Sequence, residues 1–170
     1  MNVSQATQEA LMEIIAQCFY VNRKLDRLVS VLGVKLVCNR LSGLIHEGIA
    51  HYFPKLSDQL GELCLERYNI PVEYGATPDG KEDYAGVVEA MQALEDYVVE
   101  FHTMFIGVNK IAFENNDLHV FADLQDLMED LNEVVEQCML LNDKAKLYGN
   151  DRAMQMDKAA YDFWILEKED

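Results

Sequence analysis

The sequence predicts an all-α fold: four long helices in a bundle, two hairpins joined by a long crossover between helices 2 and 3, plus a short C-terminal helix. Three observations carry this. Apolar residues recur every three or four positions over four stretches, the period of a helix with one buried face. One segment rich in proline and glycine divides these stretches two and two. That segment, roughly thirteen residues, spans about 43–47 Å when extended, close to the ~45 Å of a thirty-residue helix.

The first helix covers Ser4 to Leu32, with Leu11, Ile15, Cys18, Leu25, Val29 and Leu32 on one face and Asn22 filling the missing step. Asn22 is a polar intruder, and a buried amide needs a partner on a neighbouring helix. Gly33 offers a C-terminal stop. The second helix, about Val34 to Asn69, carries Cys38, Leu41, Ile45, Ile49, Tyr52, Leu56, Leu60 and Leu63. Pro54 lies inside it and clashes with the carbonyl of Ala50, so a kink or break is expected. The linker runs from Ile70 to Glu82.

The third helix is expected to begin with Asp83 as cap and to bury Val88, Met91, Leu94, Val98, Phe101, Phe105, Val108 and Ala112. Asn115, Asn116 and Asp117 form a tight turn into the fourth, with Leu124, Leu127, Leu131, Val134, Cys138 and Leu141 as its stripe. A tail helix from about Asp151 presents Met154, Tyr161, Trp164 and Ile165. The two short turns force antiparallel neighbours, whereas the linker can return the chain to the far end and make helices two and three parallel. Two hairpins with one long crossover is the ferritin-like arrangement, here a single domain over residues 1–170.

A formal charge of −16 argues against a nucleic-acid partner and against a membrane surface, since both are held by Lys and Arg. An acidic skin suits a protein that attracts cations, and simple solubility explains it as well. No apolar run reaches membrane-spanning length, and no basic start followed by an apolar run suggests a signal peptide, so a cytoplasmic location is expected. Cys18, Cys38, Cys64 and Cys138 form no CxxC pair and suit core thiols in a reducing compartment.

A di-iron centre inside such a bundle needs Glu on two helices and Glu-x-x-His on the other two. No Glu-x-x-His occurs, and the core stripes hold no carboxylate. Glu95, His102 and Asn109 lie seven apart beside the core of helix three, and a solvated flank is expected there. Helix two offers more. Glu47, His51, Asp58 and Glu62 fall within an arc of about 60°, opposite the apolar face, with His46 one step round. Glu47 with His51, and Asp58 with Glu62, are pairs one turn apart that can grip a cation. Imidazole plus carboxylate suits iron, zinc or manganese. A solvent-facing polar stripe is the other reading.

The stretch from His46-Glu47 to Asp58-Gln59-Leu60-Gly61-Glu62 resembles the second helix of Dps proteins, the ferritin-like iron-storage and peroxide-protection family. Asp58 and Glu62 match that family's Asp-x-x-x-Glu, with His46 and His51 as the histidines. The family's histidines lie further upstream and further apart, one of them on the first helix, which has none here. The resemblance implies a ferroxidase site built between subunits. The expectation is therefore a homo-oligomer, at least a dimer, binding iron through His46, His51, Asp58 and Glu62, with Glu47 in support. Two-fold packing of helix two near Lys55 would bring His51 of one chain towards Asp58 and Glu62 of its mate.

Two alternatives stay open. An all-α nucleotide pyrophosphatase would hold Mg²⁺ on acidic helical pairs, a vocabulary that Asp58, Glu62 and Glu66 on helix two and Glu129, Glu133 and Glu136 on helix four resemble. Its second acidic motif would fall on Glu167 and Asp170. A bundle without catalysis, serving assembly, is the third class.

Overall fold

The computed structural model describes residues 2–167; Asp170 lies outside them. Helix α1 spans Gln5–Val34. Ser4 caps it, its hydroxyl oxygen accepting from the Thr7 amide at 3.3 Å. Gly33 is not the stop expected of it: the helix runs on to Val34, and the left-handed residue of the turn is Val37. Gly33 serves close approach instead, since a Cβ there would lie 2.9 Å from the Ser42 hydroxyl.

A second rod, residues 39–68, joins α2 (Asn39–Ile45) to α3 (Tyr52–Leu63) through a π-helical turn at His46–Ala50, and ends in another at Cys64–Tyr68. Pro54 is accommodated here. The proline has no N–H for the Ala50 carbonyl, and Asn22 Nδ2 donates to that oxygen at 3.0 Å. The predicted break is thus a π turn, with the orphan carbonyl satisfied from α1. The wide turn also shifts the buried face: after Ile49 it continues through Phe53, Leu56 and Leu60, all fully buried or nearly so, and leaves Tyr52 half-buried.

Asn69 turns the chain with a positive φ of 54°, and the crossover, residues 69–86, then lies along α1. Tyr74 packs edge-on against Phe19, Glu82 pairs with Lys24, and Arg27 donates to the Glu82 carbonyl at 2.8 Å. Asp83 pairs with Arg27 and with Lys35 beyond the end of α1, so it is not the cap of the next helix. Helix α4 runs over Val87–Glu114, and Asn150 from the tail caps it, accepting from the Val88 amide at 2.9 Å. Helix α5 spans Leu118–Tyr148.

These contacts set the directions. The end of α1, the start of the second rod, the start of α4 and the end of α5 meet at one pole. At the other, Arg67 and Tyr68 bind Asp123, and Ser4 and Thr7 bind Asp117. The second rod and α4 are therefore parallel, as the crossover length requires. Between the helices the core is apolar, centred on Phe53 and Phe101 in edge-to-face contact at 5.0 Å and on Phe105. Full burial of such side chains stabilises the fold by about 1.5–3 kcal/mol each.

The flank of α4 is not simply solvated. Asn142 donates to both Gln92 and Glu95, His102 meets Asn132 at 2.8 Å, and Gln125 donates to Asn109 at 2.6 Å. This ladder of polar pairs joins α4 to α5 and gives their packing one register. The tail also differs from its sequence reading. Met154 and Ile165 are exposed; Met156 of α6 (Ala153–Ala159) and Ala160 are the buried anchors.

Candidate functional site

A di-iron centre would lie in the bundle interior. Among the described residues, the buried polar side chains are Thr7, Ser57, Asn109, Asp117, Gln137 and Asn142. The one carboxylate among them, Asp117, is at the pole of the bundle, held by Ser4 and Thr7. Burial raises its carboxyl, but the hydrogen bonds from Ser4 and Thr7 outweigh this and hold it below the usual carboxylate range. Among the described residues the buried interior holds no Glu or His of the kind an internal pair of iron ions needs, and Phe53, Phe101 and Phe105 pack together there. The cysteines offer no nucleophile: all four are buried and free, and burial pushes the Cys38 and Cys64 thiols up to about 11.

On the outer face of the second rod, the structure brings three of the five expected residues together. The carboxylate of Glu47 lies 3.5 Å from His46 Nδ1 through one oxygen and 3.5 Å from His51 Nδ1 through the other. The two imidazoles meet at 4.3 Å between ring centres. The π turn produces this. His46 and His51 are five apart, a spacing that an α-helix would splay by about 140°, whereas in the wide turn the His51 amide bonds to the His46 carbonyl at 3.1 Å.

Asp58 and Glu62 are on the same rod, both exposed. At 1.5 Å per residue Asp58 is about 10 Å beyond His51, too far to share an ion with it in one chain. Among the described residues, no group of three or more His, Cys, Asp or Glu side chains is arranged to hold a metal ion unaided.

Glu47 and His51 also border a cleft of about 920 Å³ between the second rod, α5 and the tail. Asp130 and Glu133 of α5 line its opposite wall, and Tyr161, Trp164 and Glu167 of the tail line its rim. The tail is held there by specific contacts. Fully buried Gln137 of α5 accepts from the Ile165 amide at 2.6 Å and donates to the Phe163 carbonyl at 3.3 Å. Asp157 accepts from the Leu41 amide at 2.8 Å, capping α2 from outside. The Trp164 indole rests on Gly48, where a Cβ would lie 2.5 Å from the ring.

The sequence reading singled out Glu133 but not Asp130, and missed the roles of Gly48 and Gln137. A glycine inside a helical pattern is the one signal that marked Gly48 for a close approach. Glu129 and Glu136, named with Glu133 in the pyrophosphatase reading, are exposed on α5 and do not line the cleft. No helix among the described residues is long and apolar enough to cross a membrane.

No protein-family model matches this sequence, and no curated protein sequence is detectably similar to it. Solved structures are similar in fold. A humanized archaeal ferritin superposes with a TM-score of 0.85 at 15% identity, over 99% of this chain and 99% of that one. A closed form of the Archaeoglobus fulgidus ferritin, engineered by site-directed mutagenesis, gives 0.85 at 15% identity over 98% and 99%. The open-pore ferritin of the same hyperthermophilic archaeon gives 0.84 at 16% identity over 92% and 96%. The chain has the ferritin-like four-helix bundle with a short C-terminal helix.

Proposed function

We propose that this protein is a homo-oligomeric iron-handling bundle that takes up Fe²⁺ on the outer face of the second rod, in the Dps-like manner, with ligands from two subunits. The observation that carries this reading is the convergence of His46, Glu47 and His51, with both imidazoles 3.5 Å from one carboxylate. Two ligands each about 2.1 Å from one ion at a tetrahedral angle are about 3.4 Å apart, so the spacing suits the edge of a coordination shell. Imidazole nitrogen favours transition metals over Mg²⁺.

The half-site is incomplete in one chain. Asp58 and Glu62 lie two and three turns along, where the same residues of a two-fold mate would complete it. Each Fe²⁺ would give one electron to dioxygen or peroxide, and the Fe³⁺ formed would pass to hard carboxylate ligands. The likeness of the whole fold to ferritins, and the acidic surface that draws cations, support the same reading.

The test is iron oxidation by the purified protein with oxygen or peroxide. Wild type should exceed a protein-free control. Asp58→Ala with Glu62→Ala should abolish the excess with helical content intact, and His51→Ala should weaken it. Equal oxidation by wild type and the double variant overturns the site. Hydrolysis of nucleoside triphosphates with Mg²⁺, lost with the carboxylates alone, would mark a pyrophosphatase instead; neither activity would mark a scaffold.

A further inference from the structure

The cleft beneath the tail has a chemistry distinct from the His46–Glu47–His51 group at its edge. Its volume of about 920 Å³ falls in the range of small-molecule sites, roughly 300–1,000 Å³. Three aromatic side chains, Tyr52, Tyr161 and Trp164, contribute to its walls. Trp164 is seated by contact on Gly48, and the backbone on either side of it is bound to the buried Gln137. The aromatic wall is therefore part of the folded structure.

Among the described residues, four carboxylates line the cleft, Glu47, Asp130, Glu133 and Glu167, with two cations, Arg40 and Lys55. Arg40 donates to the Lys158 carbonyl at 3.0 Å and lies over the Tyr161 ring at 5.5 Å, which holds its charge at the Tyr161 end of the cleft. The Tyr52 hydroxyl is buried with no hydrogen-bond partner among the described residues. The nearby Asp130 carboxylate adds to the burial that keeps this phenol protonated.

Aromatic faces attract cations through their quadrupole, tryptophan most strongly, and desolvation strengthens the attraction. Carboxylates across the cleft add a charge that a neutral ligand cannot use. An apolar body is accommodated by Leu44, Val134 and Leu166. We propose that the cleft between the second rod, α5 and the C-terminal tail binds a small organic ammonium ion, its cationic head against Trp164 and the Asp130 and Glu133 carboxylates.

Trp164 is the one tryptophan of the chain, so its emission reports binding directly. The full chain is titrated with choline, and in parallel with 3,3-dimethyl-1-butanol, the uncharged isostere, at constant ionic strength. EDTA is present throughout, so that success or failure of the metal reading does not enter the result. The expected outcome is a saturable change in emission with choline at millimolar concentration or below, and at least tenfold weaker binding of the isostere. Asp130→Asn with Glu133→Gln should weaken choline at least fivefold, with unchanged far-UV circular dichroism; both residues are exposed on α5. Calorimetry on the same samples should give matching affinities. Absence of saturable binding by both methods, equal binding of the isostere, or wild-type affinity in the double variant overturns the proposal.

Discussion

Asn22→Ala tests how the second rod tolerates Pro54. Ala50 is fully buried, and its carbonyl has no helical donor because the residue four ahead is proline. Its partner is Asn22 Nδ2 at 3.0 Å. Removing one partner of a buried hydrogen bond costs about 1–3 kcal/mol, mostly the desolvation of the group left behind. Asn22 itself is half-buried, so water admitted by the truncation recovers part of that, and a loss of about 1–2 kcal/mol is expected. Urea unfolding followed by circular dichroism reads it: with a slope of about 2 kcal/mol per molar, the midpoint should fall by about 0.5–1 M. The decisive comparison is the same change in a Pro54→Ala background. Alanine restores an N–H that can bond the Ala50 carbonyl within the helix, so Asn22→Ala should then cost about 1 kcal/mol less, a coupling measurable by a double-mutant cycle. Equal midpoint shifts in the two backgrounds would refute this account of the π turn.

Three further outcomes are expected. Asp117 has a folded pKa below its unfolded value of about 3.9, so its stabilisation is present above that value and lost as pH falls through the folded pKa; between pH 5 and 2 the wild type should lose more stability than Asp117→Asn, and parallel acid curves would contradict the anchoring role. Gly48→Ala should displace Trp164 from the second rod, shift its emission to longer wavelength and cost about 1–3 kcal/mol, and an unshifted spectrum would show that the ring does not sit there. Light scattering at micromolar concentration should find at least a dimer, and a monomer would remove the two-subunit metal site.

Much of the architecture was legible because helices of this length repeat their buried face many times. The stripe of α4 from Met91 to Ala112 and that of α5 from Leu124 to Leu141 are buried or packed on the core as read. The crossover was legible for a geometric reason, since about thirteen extended residues can span one helix and the tight turns cannot. Errors fell where one residue decides a local geometry. Asp83 looked like a cap but binds Arg27 and Lys35, because the true cap, Asn150, comes from a segment over sixty positions away. Glu95, His102 and Asn109 looked solvated because their partners are on α5, and periodicity within one helix carries no record of what faces it.

The candidate site divides in the same way. By itself the sequence determined which imidazoles and carboxylates the second rod carries and that Glu47, His51, Asp58 and Glu62 share one side of a helix, because a rotation of about 100° per residue follows from local hydrogen bonding alone. It equally determined that no carboxylate or imidazole enters the apolar stripes. Tertiary structure decided the rest. The π turn, made tolerable by Asn22 reaching across from α1, brings His46 and His51 onto one carboxylate. The folding back of the tail turns an open helix face into a cleft shared with Asp130 and Glu133. Both depend on contacts between residues far apart in the chain, whose free energy exists only when packing supplies the partner.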